Sequence, residues 1–190
     1  MPTDLGAPTR TRAAALPAEE RRRTIVDAAM PLLVDLGELV TTRQIADAVG
    51  IAEGTLFRVF PDKDSILAAV VERILDPAPF EAAIAAIDPG RSLDEVLLAA
   101  IEVAQRRSEH AWRVLSRLGH RRDERNRKPM EDSKALIRLL DAHRDELAVA
   151  PRAAARHLRA LTLAMTHPLL VERPATPREI AHVFLHGVHA

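Results

Sequence analysis

The stretch AVGIAEGTLFRVFPDK, residues 48–63, decides the fold. It ends one helix at Gly50, opens a second short helix near Glu53, and stops it at Pro61, because a proline cannot continue a helix. Around Ala46 the neighbours are Ile45, Val49, Gly50, Ile51, Leu56 and Val59. A small residue at Ala46 lets a second helix cross closely, and Gly50 admits a positive φ at the turn. The apolar side chains bury the crossing. This is helix-turn-helix spacing, in which two helices meet at about 90–120° and the second enters the major groove of DNA. Two short helices that merely pack together satisfy the same spacing, so spacing alone leaves both open. The second helix is also oddly equipped for reading DNA. It opens with Glu53, holds one basic residue, Arg58, and has no Asn or Gln.

Outward from this stretch the pattern is helical throughout. Upstream, Ile25, Ala28, Ala29, Leu32, Leu33 and Leu36 line one face of a helix that begins at Ala18 and ends at Gly37. Pro31 inside it predicts a kink or a helix in two pieces. Thr41 and Gln44 have the form of a capping box for a helix over 42–49. The second helix is expected over 53–59. Asp62 caps a third, whose stripe is Ile66, Leu67, Val70, Ile74 and Leu75. Breaks at 76–80 and 88–90 flank a short helix. A long helix follows from Ser92 through Ala104, then another through Trp112, Leu115 and Leu118. Further helices are expected over 129–147, 151–170 and 177–190, with a polar basic loop at 117–129. Short alternating β-branched runs are missing, which predicts an all-α fold.

Composition agrees. The 190 residues are 47% hydrophobic and 28% charged, enough for an aliphatic core in a soluble globular protein. With no cysteine there is no disulfide framework, which fits a reducing compartment. The first residues lack the apolar core of a signal peptide, and no apolar run nears the length that spans a bilayer. A cytoplasmic protein with no membrane partner is expected. Net charge is zero, and residues 1–76 hold 9 Lys/Arg against 12 Asp/Glu, so any DNA-binding charge has to be placed locally.

RRRTIVDAAMPLLVDLG and VTTRQIADAVGIAEGTLFRVFPDKDSILAAVVERI together resemble the N-terminal domain of the TetR family of bacterial transcriptional regulators, over about residues 20–75. Residues 76–190 show no comparable motif, only the expected run of helices. The resemblance implies a mobile basic tail at 1–17, a DNA-binding domain at 18–64, and a ligand-binding and dimerisation domain at 65–190. It implies a homodimer on a two-fold operator, a small-molecule effector, and repression relieved by that effector. Three usual backbone anchors are replaced: Ala52 stands where Ser or Thr caps the reading helix, Glu53 where Lys is common, and Phe57 where Tyr is common. The loop after Gly37 is about one residue short. A weaker, more salt-sensitive reader is the expectation.

The candidate DNA contacts are Thr42, Arg43 and Gln44 at one helix start, Gly54, Thr55, Phe57 and Arg58 on the reading helix, and Lys63 as a phosphate clamp. Arg58 is the one side chain on that helix able to grip guanine with two bonds. Phe60 reads as core and Glu53 as facing solvent. Arg10, Arg12 and Arg21–Arg23 offer a basic arm. Trp112, Leu115, Leu118, Leu140 and Met165 are candidate pocket linings, each also an ordinary core position. Leu158, Leu161, Leu169, Ile180, Phe184, Leu185 and Val188 are candidate dimer contacts between the last two helices. His182, His186 and His189 share helical spacing that can hold a metal, but a polar stripe at a dimer seam explains them more simply. No HExxH, phosphate loop or convergent acid set is present, so no cofactor and no catalysis are expected. The competing reading is a helical small-molecule-binding or enzyme bundle whose helix-turn-helix is only packing.

Overall fold

The computed structural model describes residues 17–118 and 131–187, and every regular element among them is helical. Helix α1, Ala18–Leu36, runs unbroken through Pro31. The proline stands on an exposed position and deletes only the one backbone donor, so the expected break does not occur. Gly37 closes α1 with φ 58°, its N–H donating to the Leu33 carbonyl. A Cβ at Gly37 would meet the Arg117 carbonyl at 3.0 Å, so this turn must be glycine to let the distant chain approach.

Helix α2, Thr42–Val49, begins in the expected capping box and ends at Gly50 in the left-handed region, φ 75°. Helix α3, Glu53–Leu56, is shorter than the expected 53–59. Ala52 supplies no side-chain cap, and from Arg58 the chain tightens, Arg58 N–H donating to the Thr55 carbonyl and Val59 N–H to that of Leu56. Helix α4, Lys63–Leu75, starts at Asp62, whose Oδ1 accepts the Ser65 N–H at 2.7 Å. Helix α5 is Ala78–Ala85.

Helix α6, Leu93–Leu115, is one rod where two helices were expected. Residues 105–111, QRRSEHA, contain neither Gly nor Pro, so nothing interrupts the backbone ladder. Helix α7, Lys134–Asp141, starts where Ser133 caps it through the Leu136 N–H, and the chain beyond it turns into a separate 3-10 turn at Arg144–Glu146. Helix α8, Pro151–Thr166, stops short of 170, since Pro168 forces the preceding His167 into extended backbone. Helix α9, Pro177–His186, ends on Gly187 with φ 71°. Residues 1–16 of the tail expected over 1–17, most of the basic loop, Val188 and His189 lie outside the described residues.

Two cores form. The first, here called the head, gathers Ile25, Leu33, Ile45, Leu56, Phe60, Ile66 and Val70 from α1 to α4. It extends through Ile74, beyond the boundary expected at 64, and takes Val114 and Leu118 from the end of α6. The second, the body, joins Phe80, Ile84, Leu97, Ile101, Leu136, Leu140, Leu158 and Ile180 from α5 to α9. Each fully buried aliphatic side chain contributes about 1.5–3 kcal/mol by leaving water, so each cluster is a substantial core. Inside the body, Gln105 is buried and donates to Thr166 Oγ1 at 3.1 Å and to the Ala175 carbonyl at 2.7 Å, tying α6 to the α8–α9 connection.

Candidate nucleic-acid interface

The α2–turn–α3 unit is built from the buried side of its sequence. Ile45, Ala46 and Leu56 are buried, and the Ile51 N–H reaches back to the Ala46 carbonyl at 3.0 Å across the Gly50 turn. Phe60 is fully buried, while Phe57 is 44% exposed. The two aromatics separate as the residues suggest: one anchors the head, one faces outward. The Arg22 guanidinium lies 4.4 Å over the Phe60 ring, a cation–π contact fastening α1 to the turn before α4.

On the outer side, Arg43, Gly54 and Arg58 are exposed, and Thr42, Thr55 and Lys63 are half-buried. Gln44 is exposed, but its Oε1 accepts the Thr41 N–H at 2.9 Å and the Thr41 hydroxyl at 3.0 Å. Its oxygen is therefore spent on capping, which leaves the amide NH₂ as the donor it can offer a phosphate. The Lys63 ammonium donates to the Glu38 carbonyl, tying α4 to the turn after α1. An ammonium carries three protons, so one such bond leaves two donors.

Glu53 departs from its expected place in solvent. It is half-buried, and its Oε1 accepts the Thr42 hydroxyl at 2.5 Å. The acid that opens α3 thus ties the start of α2 to the start of α3. It acts as a clasp between the two helices, and Thr42 is correspondingly less available as a phosphate donor.

The other candidate sets do not each come together. Leu140 belongs to the body core, whereas Leu118 and Leu115 pack in the head. Trp112 meets the His167 ring edge-on at 4.4 Å between centroids, and Met165 lines an open groove with Val171 and Ala175. Leu158 (2% exposed) and Ile180 (fully buried) are interior to the protomer and present no surface to a partner subunit. Leu161, Phe184 and Leu185 are half-buried, and Leu169 is 74% exposed. Among the described residues no three His, Asp or Glu side chains cluster as a metal site, and His182 and His186 lie ring to ring at 5.0 Å. None of the described helices is long and apolar enough to cross a membrane.

A paired-helix unit seated on an all-helical body is the architecture of a helix-turn-helix domain followed by a helical domain. Residues 25–70 match the family model described as bacterial regulatory proteins, tetR family. That match places a TetR-family N-terminal helix-turn-helix domain over residues 25–70, about a quarter of the chain. Over 58 residues it is 40% identical to nucleoid occlusion factor SlmA of Actinobacillus pleuropneumoniae serotype 5b, a match covering 30% of this chain and 29% of that protein. The whole-chain fold resembles a TetR/AcrR-family regulator from Thermobifida fusca, with TM-score 0.58 and 22% identity over 90% of this chain and 100% of that one. It also resembles the TetR-like regulator LfrR of Mycobacterium smegmatis in complex with proflavine, with TM-score 0.54 and 21% identity over 92% and 99% of the two chains.

Proposed function

We propose that the protein is a homodimeric repressor that grips a two-fold operator with its two heads and is released by a small molecule. The observation that carries this reading is the α2–turn–α3 unit: a buried crossing at Ala46 and Leu56, with Arg43 and Arg58 left exposed on it. Arg58 reads a base edge, most readily guanine. Arg43, Thr55 and Lys63 hold the sugar-phosphate backbone, and Phe57 sits where it can meet a thymine methyl. The exposed Leu169 and the half-buried Leu161, Phe184 and Leu185 form the seam between subunits. A symmetric dimer presents its heads to the two halves of a palindrome. Release by a ligand draws support from the fold shared with LfrR, which was captured with proflavine.

A gel-shift titration with DNA from immediately upstream of the protein's own gene, at two salt concentrations, tests this. Saturable binding that weakens steeply with salt is expected. Binding that is undetectable at both concentrations would contradict it.

A further inference from the structure

We propose that the effector site lies in the cleft between head and body, and that it takes a small carboxylate carrying a flat apolar group. The inference rests on the regulator reading and adds to it the place and chemistry of the ligand.

The cleft is a cavity of about 340 Å³ where α1, α4, α5 and α6 meet. This falls at the lower end of the roughly 300–1,000 Å³ span of small-molecule sites. One face of α6 supplies Val103, Arg106, Arg107 and His110, which recur at helical spacing. The end of α4 supplies Arg73 and Ile74, and α1 supplies Met30. The α5 side is apolar, with Phe80 and Ala83. Three guanidiniums therefore face one lining carboxylate, Asp76. That carboxylate already accepts the Ala78 N–H at 2.9 Å and stands 3.7 Å from Arg73.

Arg107 is the centre of this imbalance. Its hydrogen bonds go to two backbone carbonyls at the end of α4, Asp76 at 2.7 Å and Leu75 at 2.9 Å. Among the described residues no carboxylate comes within ion-pair distance of it. It lies 5.8 Å from the Phe80 ring, and the Arg159 guanidinium lies 5.5 Å from the same ring. Burial holds the pKa of Arg107 below its ordinary value, with Asp76 partly opposing; burial also lowers that of Arg159, with the Glu81 charge opposing, the Arg107 charge adding to the drop and Asp132 opposing it. Arg107, partly desolvated and held only by carbonyls, favours an arriving carboxylate, and its planar fork suits the two oxygens. Arg106 and Arg73 meet Glu102 and Asp27 at 3.6 Å on the surface, contacts weak enough to be shared with a ligand. Met30, Ile74, Phe80 and Val103 leave an apolar wall for the rest of the molecule.

The position explains how occupancy would reach DNA. Arg107 caps the C-terminal end of α4, while the N-terminal end of α4 holds the turn after α1 through Lys63. A ligand that draws on Arg107 changes the body's grip on α4. A ligand touching both Met30 in the head and Val103 in the body distinguishes two arrangements of head on body, which is the requirement for coupling.

The test uses the full chain with methyl-labelled Met and Ile and three probes: naphthalene-1-carboxylate, naphthalene-1-carboxamide and 1-naphthyl phosphate. The Met30 and Ile74 methyl signals are expected to shift saturably with the carboxylate at concentrations up to about 1 mM, and at least about tenfold less tightly with the carboxamide. Arg106→Gln and Arg107→Lys should each weaken the carboxylate by roughly tenfold, with folding of both variants checked by their unshifted body methyls. Equal binding of carboxylate and carboxamide, tighter binding of the phosphate, or no shift at Met30 and Ile74 overturns the proposal. The carboxylate should also lower affinity for the upstream DNA by about 5- to 150-fold, the usual span of coupling between sites. Unchanged DNA affinity at saturation overturns the effector role. A parent protein that binds no DNA is a failure of the regulator reading instead, and is seen without any probe present.

Discussion

Glu53 and Lys63 each have two possible duties, one inside the protein and one towards DNA. Glu53 clasps Thr42 at 2.5 Å while placing a negative charge beside the expected phosphate path. Glu53→Gln keeps an oxygen acceptor for Thr42 and removes the charge. Affinity for every duplex should rise by roughly fivefold per head, since one unit charge a few ångströms away in water is worth about 1 kcal/mol. Fluorescence anisotropy with operator and scrambled duplexes measures it, and an unchanged or lower affinity would count against Glu53 facing phosphate. Lys63→Ala should weaken both duplexes alike and lower the log–log salt slope by about one per head. At this scale the sequence was partly legible. The division of labour between Phe57 and Phe60 follows from hydrophobic spacing alone. The Glu53–Thr42 clasp does not, because its partners stand eleven residues apart on either side of a turn and meet only once the helices cross.

Among the elements, the caps at Thr41 and Asp62 were readable from the sequence, while the boxes at Ser92 and Thr176 emerge in the structure. Thr41, Asp62, Ser92 and Thr176 each begin a helix with a reciprocal box. The box of α9 carries a pH signature. Glu179 is bound by both Arg173 and Thr176, and these hydrogen bonds, Arg173's first, hold its pKa down from 4.5 to about 2. A depressed carboxylate stabilises the fold above its unfolded pKa and loses that contribution as pH falls. The loss should occur between about pH 4.5 and about pH 2. Glu179→Gln should lower the melting temperature at pH 7 and leave a shallower dependence across that window, as followed by circular dichroism. An identical dependence in parent and variant would contradict this account. Helix ends without a box were less legible. The run on α6 was split in expectation at its charged middle, although charge does not end a helix when Gly and Pro are missing. The ends of α7 and α8 were placed too far out, because the Ser133 cap and the Pro168 constraint act locally and override the apolar period.

Across the whole molecule, the all-α fold and the reading unit were legible because both rest on periodic, short-range signals. The pocket was not. Trp112, Leu115, Leu118, Leu140 and Met165 are apolar residues on several helices, and only the packing shows that they divide between two cores and a surface groove. The same packing shows α6 serving both cores and gripping α4 through Arg107. The proposed subunit seam is tested at this scale. Leu169→Glu alters a side chain that is 74% exposed and so should leave the protomer folded. It should turn the dimer into a monomer by light scattering and reduce operator affinity by roughly 100-fold, the cost of losing two-headed binding.

On the proposed function, the α2–turn–α3 unit reads sequence through Arg58. The most direct measurement is an anisotropy titration of the parent and Arg58→Ala on the upstream duplex and on a scrambled duplex, at matched salt. The parent should prefer the upstream duplex, and Arg58→Ala should weaken that complex by about 1–3 kcal/mol while leaving scrambled binding nearly unchanged. Equal affinities of parent and variant for the upstream duplex would contradict it.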